Sequence, residues 1–307
     1  MTAIALDLPA SPGLQTVADR RWPIETLWSA ELPSEWPARG GSLPDALRDR
    51  VAGRLEIQLR NDRPTVIANF VSTLDGVVAL DRVGATGGRE ISGGFEPDRF
   101  LIGLLRATAD AVLVGAGTAH ASGSKIWTPG GVHPGSAAAF AEWRRLLGLP
   151  TAGPTTVIVT GSGSLDLARL GDDGVGVLIV TTTNGSRRLG SAQRPDHVEI
   201  VAVAGGERVP IEMVLAILRD RGYQLVVSEA GPTLFGELLG ARAVDELFLT
   251  VAPQVAGRSD EVERLALVEG AAFGPSAAPW ARLWSVMRSA DHLFLRYDLR
   301  SDRKEAS

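Results

Sequence analysis

Cysteine is absent from this chain of 307 residues, and histidine occurs only four times. Without thiols the protein can form no disulfide, thiolate zinc site, iron–sulfur cluster or cysteine nucleophile. The histidines are scattered along the sequence without the spacing of metal ligands: His120, His133, His197 and His292. We therefore expect no transition-metal site, which leaves open a Mg²⁺ ion held by carboxylates.

Lysine is also scarce, since Lys125 and Lys304 are the only two lysines among 31 basic residues. With 36 acidic residues the net charge is −5, so the chain lacks the cationic surplus of nucleic-acid and anionic-membrane binders. No stretch approaches the roughly 20 apolar residues of a membrane helix, and the N-terminus lacks the basic segment of a secretory signal. We expect a cytoplasmic protein that binds neither nucleic acid nor membrane.

Residues 1–62 differ in composition from the rest of the chain and predict an N-terminal extension. Three of the seven tryptophans lie there: Trp22, Trp28 and Trp36. Four apolar residues recur at every fourth position: Leu43, Leu47, Val51 and Leu55. This spacing predicts a helix, with a capping box from Ser42 to Asp45 at its start. The tryptophans either anchor the extension to the main domain or belong to a lid over a substrate pocket.

Short β-branched runs alternate with helical stretches from Thr65 onward and predict one α/β domain over residues 63–307. The predicted strands cover residues 65–71, 110–115, 155–160, 175–182, 197–203, 224–228, 244–251, 283–288 and 292–299. Amphipathic helices are predicted after Pro97 and Pro210, which suit a first helical turn. The alternation indicates a mostly parallel sheet flanked by helices, and the last two strands predict an antiparallel C-terminal edge.

Two glycine-rich turns follow predicted strands, where ligands bind in open α/β sheets. They read Gly115-Ala116-Gly117-Thr118 and Glu229-Ala230-Gly231-Pro232-Thr233-Leu234. Glycine lets a phosphate approach the backbone, and a threonine hydroxyl can cap a helix or bind the phosphate. The G-x-G-x-x-G fingerprint fails because His120 replaces its third glycine, and no P-loop lysine follows either turn. Each turn alone could equally be structural.

Two further turns, at residues 160–164 and 181–188, combine small hydroxyl side chains with arginines and suit a ribose phosphate, although a solvated loop is the alternative. Asp75 follows the first predicted strand and could either bond its own turn or point a carboxylate into the cleft. Ser122 and Lys125 have the S-x-x-K spacing of penicillin-binding enzymes, but the companion motifs are absent.

Together these segments resemble the reductase domain of the bacterial riboflavin-biosynthesis deaminase/reductase, a relative of dihydrofolate reductase. The matching motifs are S-x-L-D-G at residues 72–76, L-R-x-x-x-D-A-x-x-V-G-x-G-T at 105–118, E-x-G-P-T-L at 229–234 and V-D-E-L-x-L-x-x-A-P-x-x-x-G at 244–257. The resemblance covers about residues 64–300. It implies a dihydrofolate-reductase-like fold and NADPH-dependent hydride transfer to the ribosyl group of 5-amino-6-(5-phosphoribosylamino)uracil or a related pyrimidine.

The resemblance also implies residue roles. It assigns cofactor binding to Gly115, Gly117, Thr118, Gly231, Pro232 and Thr233. Thr160, Ser162 and Thr182 join them from the two further turns, where Ser162, Ser164, Arg187 and Arg188 could bind a 2′-phosphate and favour NADPH over NADH. Glu229 and Asp75 are the implied catalytic residues, with Glu229 positioning or protonating the substrate. Asn69, Ser72 and Ser122 are the expected substrate contacts.

The chain departs from the family near the expected substrate. Family members often carry lysine where Asn69 stands, and an A-D-x-P segment where this chain has Ala121-Ser122-Gly123-Ser124. Residues 1–62 contain no cysteine or histidine, so the zinc deaminase domain of the family is not expected. Two alternatives stay open, reduction of dihydrofolate or another small heterocycle on the same fold, and a non-catalytic NADPH-binding protein.

A homodimer is expected from the resemblance and from the apolar run Leu247-Phe248-Leu249, which we place near a sheet edge. An exposed apolar edge strand needs to be paired or covered.

Overall fold

The computed structural model describes residues 23–32, 36–51, 53–80, 87–122, 127–171, 174–190, 194–204 and 206–300, apart from the side chains of residues 121 and 122. The strands are β1 (Glu25–Ser29), β2 (Ala38–Ser42), β3 (Arg54–Gln58), β4 (Thr65–Ser72), β5 (Val77–Ala79), β6 (Ala111–Gly115), β7 (Thr155–Thr160), β8 (Val177–Thr182), β9 (Val198–Val203), β10 (Leu225–Ser228), β11 (Glu246–Val251), β12 (Leu265–Ala266), β13 (Arg282–Ser289) and β14 (His292–Asp298). The helices are α1 (Asp45–Arg48), α2 (Gly88–Ile91), α3 (Glu96–Thr108), α4 (Ala116–Ser122), α5 (Pro129–Val132), α6 (Ala137–Leu146), α7 (Thr183–Leu189), α8 (Ile211–Asp220) and α9 (Pro232–Gly240), with short 3₁₀ helices at Pro134–Ser136 and Leu167–Arg169.

The main sheet has the strand order β1-β13-β14-β11-β4-β10-β6-β7-β8-β9. In this spatial order, the seven neighbouring strands that start with β11 and end with β9 run parallel to one another. Strands β14, β13 and β1 add an antiparallel edge beside β11. The expected mostly parallel α/β sheet with an antiparallel C-terminal edge is confirmed. Because β10 returns between β4 and β6, the strand order reverses there. Such a reversal opens a crevice at the carboxyl ends of the strands.

Apolar side chains cover both faces of the sheet, as the continuous hydrophobic strands predict. On one face, Phe100 and Leu104 of α3 pack over Ile67. On the other face, α8 and α9 pack over neighbouring residues such as Val66, because successive strand side chains point to opposite faces. The helices predicted after Pro97 and Pro210 are confirmed as α3 and α8.

The long helix predicted between Leu43 and Leu55 is wrong, because the helix there ends after one turn at Arg48. Its N-cap is Pro44 without a side-chain cap bond, so the predicted capping box from Ser42 is also wrong. The chain turns back through Gly53, whose φ of +62° suits glycine, and continues as β3 paired with β2. The apolar residues of the pattern are nevertheless buried, in the same cluster as α3.

The described part of the extension is fastened to the main domain by strand pairing and polar contacts. Strand β1 pairs with β13 at the sheet edge, and Arg39 binds Asp110 at 2.6 Å, just before β6. Trp36 lies over the guanidinium of Arg300, 5.2 Å from it, which fits the anchoring interpretation. Trp28 lies on β1 and is 48% exposed, and Trp22 falls outside the described residues.

The edge-strand argument for a dimer is wrong, because β11 is paired on both sides, with β14 and with β4. Phe248 on this strand is 2% exposed and packs under α3. The strands at the ends of the sheet are β1 and β9. The homodimer itself stays a prediction.

The V-D-E-L motif fastens the amino end of β11 through buried charges. Asp245 accepts a bidentate contact from Arg63, at 2.7 and 3.0 Å. Glu246 accepts a bond of 2.8 Å from Arg296 and a second from Arg300. These pairs lie at the opposite end of the strand from the crevice, so the motif has a structural explanation. Within the described ranges, no helix has the length and apolar character to cross a bilayer.

Candidate active site

The crevice collects polar side chains on the face of the sheet that α3 covers. Ile67, Val227 and Phe248 pack beneath α3. Asn69, Glu229 and Thr250 follow these three residues by two positions. Because successive side chains of a strand point to opposite faces, residues two positions apart lie on the same face of the sheet. Because α3 runs back across the sheet, its first turn lies above these strand ends. The site therefore draws on β4, β10, β11 and α3 together.

Glu229 is held by a bidentate ion pair with Arg106 of α3. The guanidinium Nε donates to one carboxylate oxygen and a terminal nitrogen to the other, both at 2.6 Å, and both side chains are largely buried. The other terminal nitrogen of Arg106 donates to the carbonyl of Thr128 at 3.1 Å. A planar guanidinium in this arrangement fixes the carboxylate plane. Glu229 thus presents remaining acceptor positions in a fixed orientation, which favours the positioning role over the protonating one.

Asp98, in the first turn of α3, is 4% exposed. Burial raises the pKa of its carboxyl group to about 6; the hydroxyls of Thr250 and Ser92 oppose the rise, and the charge of Glu229 adds to it. The site thus holds two carboxyl groups, of which only Glu229 has an arginine partner in the described structure. Sequence reasoning missed Asp98, although it shares the buried face of α3 with Leu101 and Leu105, three and seven positions later.

Asp75 fastens the turn after β4 to the loop after β11. Its carboxylate accepts a bond from the Thr73 hydroxyl at 2.6 Å and from the backbone N–H groups of Ala256 and Gly257, at 3.1 and 2.7 Å. These bonds, the Thr73 hydroxyl first, hold the pKa of this exposed carboxyl well below its usual range. The contacts give Asp75 a positioning part, and its participation in catalysis stays a prediction. Ser72, one strand residue earlier, is buried beside Val251.

The two glycine-rich turns lie side by side because β6 and β10 are neighbours. A Cβ atom on Gly231 would lie 3.3 Å from the hydroxyl of Thr118, whereas one on Gly117 would meet nothing within 4 Å. Helix α9 begins at Pro232, and its N-cap residue makes no side-chain cap bond. The first-turn N–H groups of α9, with Thr233 among them, are thus free of a side-chain cap and suit an anion. A Cβ atom on Gly115 would lie 3.5 Å from the side chain of Leu234, so the two turns are close to each other here as well.

The loops after β7 and β8 also meet at the carboxyl edge, and their threonine hydroxyls are engaged there. Thr182 donates to the carbonyl of Gly161 at 2.7 Å and accepts from the N–H of Gly185 at 3.0 Å. Thr160 accepts from the N–H of Gly163 at 3.2 Å. These hydroxyls shape the loops, and Ser162 between them is exposed. Cofactor contacts from Thr160, Ser162 and Thr182 stay predictions.

Ser122 ends helix α4, and its side chain lies outside the described atoms, as do residues 123–126 with Lys125. Among the residues that the structure describes, no group of three or more histidines and carboxylates is arranged to hold a metal ion.

Comparison with known proteins identifies relatives of the chain. Residues 64–270 match the model of the RibD C-terminal domain family. The chain is 31% identical over 200 residues to the 2,5-diamino-6-ribosylamino-4(3H)-pyrimidinone 5′-phosphate reductase of Methanothermobacter thermautotrophicus, covering 64% of this chain and 82% of that protein. It is 27% identical over 199 residues to the protein of the same name from Archaeoglobus fulgidus, covering 64% and 84%.

Two solved structures share the fold. A pyrimidine reductase-like protein from Corynebacterium diphtheriae matches with a TM-score of 0.61 and 22% identity, over 78% of this chain and 93% of that one. A diaminohydroxyphosphoribosylaminopyrimidine deaminase/5-amino-6-(5-phosphoribosylamino)uracil reductase from Thermotoga maritima matches with a TM-score of 0.55 and 23% identity, over 77% and 57%. The expected fold class is confirmed.

Proposed function

Because the chain belongs to the RibD C-terminal domain family, we propose that it is an NADPH-dependent oxidoreductase of riboflavin biosynthesis. The reaction would open the ribosylamino sugar of a pyrimidine 5′-phosphate and reduce it to a ribitylamino group. The two curated relatives are named as reductases of such a compound. The observation that carries the proposal is the pairing of Glu229 with Arg106 beside Asp98, in a crevice next to two glycine-rich turns.

The turns around Gly117 and Gly231 fit a nicotinamide dinucleotide. The missing Cβ of Gly117 leaves open space, and the uncapped start of α9 offers backbone N–H groups to a pyrophosphate. Bound NADPH supplies the hydride, so the protein has to orient the substrate carbon and stabilise developing charge. A preference for NADPH over NADH is proposed from exposed side chains such as Ser162 and Arg187 near the carboxyl ends of β7 and β8.

The side chains of the crevice orient the pyrimidine. Arg106 fixes the carboxylate of Glu229, whose free lone pairs accept hydrogen bonds from the substrate. Asn69 lies half-buried on β4, on the same face as Glu229. A homodimer, which rests on the family resemblance, and a cytoplasmic location complete the proposal.

NADPH oxidation with 2,5-diamino-6-ribosylamino-4(3H)-pyrimidinone 5′-phosphate tests the proposal, with NADH and dihydrofolate in parallel. Glu229→Gln should lower kcat by about 10- to 100-fold if Glu229 only positions the substrate, and by about 10²- to 10⁴-fold if it also transfers a proton. NADPH affinity should stay unchanged in both cases.

The control is Glu212→Gln, because Glu212 is exposed on α8. Oxidation with dihydrofolate alone would favour the pterin alternative. NADPH binding without turnover of any of these substrates would favour the non-catalytic binder.

A further inference from the structure

Arg50 connects the N-terminal extension to the first turn of α3. Its guanidinium pairs with the carboxylate of Glu96 and lies over the ring of Phe100, 5.0 Å from the ring centre. The arginine side chain is 14% exposed, and the backbone carbonyl of Arg50 accepts a bond of 2.8 Å from the N–H of Ile24. One residue of the extension thus contacts two residues of α3 that lie one helical turn apart.

Glu96 is held from a second side by His133, which directly follows α5. Nε2 of His133 bonds the same carboxylate oxygen as Arg50 does, and the His133 ring packs edge-on against Phe100, with the ring centres 5.6 Å apart. Burial opposes the ionisation of Glu96, but the bonds from His133 and Arg50 hold the pKa of its carboxyl group below the usual range. The carboxylate is therefore charged at neutral pH, and it joins three segments of the chain.

Apolar packing also holds α3 against the extension, because Leu47 and Val51 lie in the same buried cluster as Phe100. Such packing is non-directional, so it presses the helix onto the sheet without fixing its position along or around its own axis. Hydrogen bonds and ion pairs have preferred directions. The contacts of Glu96 are therefore the ones that set where the first turn of α3 lies.

The crevice side chains of α3 depend on this turn. Asp98 comes two residues after Glu96, and Arg106, which pairs with Glu229, lies in the last turn of the same helix. Because a helix is a rigid element, a displacement at its start is passed on to both side chains.

We propose that Arg50 is a positioning residue for the crevice: through Glu96 it fixes the first turn of α3, and with it Asp98 and the Arg106–Glu229 pair. The extension then completes the reductase site from outside the segment that matches the family, which begins at residue 64. This inference rests on the proposed function for its substrate, whereas the position of α3 can be measured without turnover.

Arg50→Met tests the role, because methionine keeps an apolar contact with Phe100 and removes the charge that binds Glu96. Since the Glu96 side chain is 45% exposed, the substitution leaves no buried charge, and the variant should fold. We expect kcat/KM for 2,5-diamino-6-ribosylamino-4(3H)-pyrimidinone 5′-phosphate to fall about 5- to 20-fold, because misplacement of positioning groups by a fraction of an ångström is costly. KM for NADPH should change by less than about twofold, because the glycine-rich turns precede α4 and α9 rather than α3.

Two further variants show whether the effect passes through the pair. Arg50→Lys should recover most of the lost activity, because an ammonium group can still pair with one oxygen of Glu96. Glu96→Gln should cause a loss of similar size. The double variant Arg50→Met/Glu96→Gln should lose no more than Glu96→Gln alone, because both substitutions remove the same interaction.

The matched control is Arg54→Met, at another arginine of the extension. Its side chain is 66% exposed and pairs with Glu56 on the same strand, β3. This variant removes an ion pair of the extension that does not involve α3, so it should keep the wild-type kinetics.

The titration of Asp98 reports on the crevice without any substrate. Carbon-13 NMR of the carboxyl groups should place the pKa of Asp98 in the wild type at about 6. Arg50→Met should lower this pKa toward the ordinary value of 3.8, because a displaced first turn admits water to the carboxyl group. Arg54→Met should leave it unchanged.

The outcomes separate this inference from the proposed function. A loss of kcat/KM and a lowered pKa of Asp98 in Arg50→Met, with neither change in Arg54→Met, support the inference. An unchanged pKa of Asp98, or an unchanged kcat/KM in an active protein, overturns it. Equal losses in Arg50→Met and Arg54→Met also overturn it, because a general loosening of the extension would then be the cause.

If the wild type reduces no pyrimidine, the proposed function fails, and the pKa of Asp98 alone decides whether Arg50 holds α3. Urea unfolding identifies the variants that fold, and Glu96→Gln takes the place of Arg50→Met if the latter does not fold.

Discussion

Asp98→Asn should stabilise the ligand-free protein at neutral and alkaline pH. Burial, with the charge of Glu229, raises the pKa of Asp98 from 3.8 to about 6. A difference of about two pH units between folded and unfolded chains corresponds to about 3 kcal/mol of unfolding free energy. Asparagine has nearly the same shape and keeps an acceptor for the neighbouring hydroxyls, but it carries no charge to desolvate.

The sign of the pH dependence follows from the direction of the pKa shift. Because the folded-state pKa of Asp98 is the higher one, the folded protein binds this proton more tightly than the unfolded chain does. Ionisation of Asp98 therefore lowers the unfolding free energy of the wild type as pH rises from about 4 to about 6. The full loss is present above about pH 7. The gain from Asp98→Asn should be about 2 to 3 kcal/mol at pH 8, and it should vanish near pH 4.

Urea unfolding of both proteins at pH 4, 6 and 8 measures this gain, with Asp220→Asn as the exposed-site control. A gain of the same size at all three pH values would show that charge is not its source. A loss of stability at pH 8 would refute the reasoning outright.

Three other substitutions test the remaining structural arguments. Arg106→Lys should lower kcat about 10- to 100-fold, because an ammonium group cannot hold both oxygens of Glu229; unchanged steady-state kinetics would contradict this. Arg144→Met should lower the unfolding free energy by about 2 to 4 kcal/mol, because this buried guanidinium binds three carbonyls near the end of α3. A loss smaller than about 1 kcal/mol in a urea titration would argue against this role. Asp75→Ala should preserve the fold but free the loop after β11, so that trypsin cleaves faster after Arg258; equal cleavage rates would rule out the clamp.

The strands of the main sheet from β4 onward were predictable because they are continuous β-branched runs bounded by glycine, proline or helical stretches, whereas the short β5 and β12 were not predicted. A buried parallel strand needs that composition, so the sequence pattern and the structure have one physical cause. Strands β1 to β3 escaped prediction. Strand β2 contains Gly40 and Gly41, which disfavour a strand on local grounds, and β1 pairs with β13 more than 250 positions away. Their formation depends on tertiary pairing, which local composition does not encode.

The candidate site, like the fold, was predictable from the sequence only in part. The glycine-rich turns were predictable since a tight strand-to-helix turn requires glycine locally. Asp98 was not, because an acidic residue in the first turn of a helix also has an ordinary interpretation as a partner of the helix dipole. The pairing of Arg106 with Glu229 joins residues 123 positions apart, and the family motif that contains Arg106 gave no indication of this partner.

Helix α3 explains why the two carboxylates of the crevice differ. Side chains on a helix tilt toward its N-terminus, so Arg106 extends from the last turn back toward the strand ends and reaches Glu229. Asp98 lies in the first turn of the same helix, where the charge of Glu229 helps to raise the pKa of its carboxyl group. One helix thus supplies both the cation that neutralises Glu229 and the carboxylate that stays unneutralised. Since a buried carboxylate without a cationic partner is costly, Asp98 destabilises the folded chain when it is ionised, whereas the bidentate pair with Arg106 fixes the orientation of Glu229.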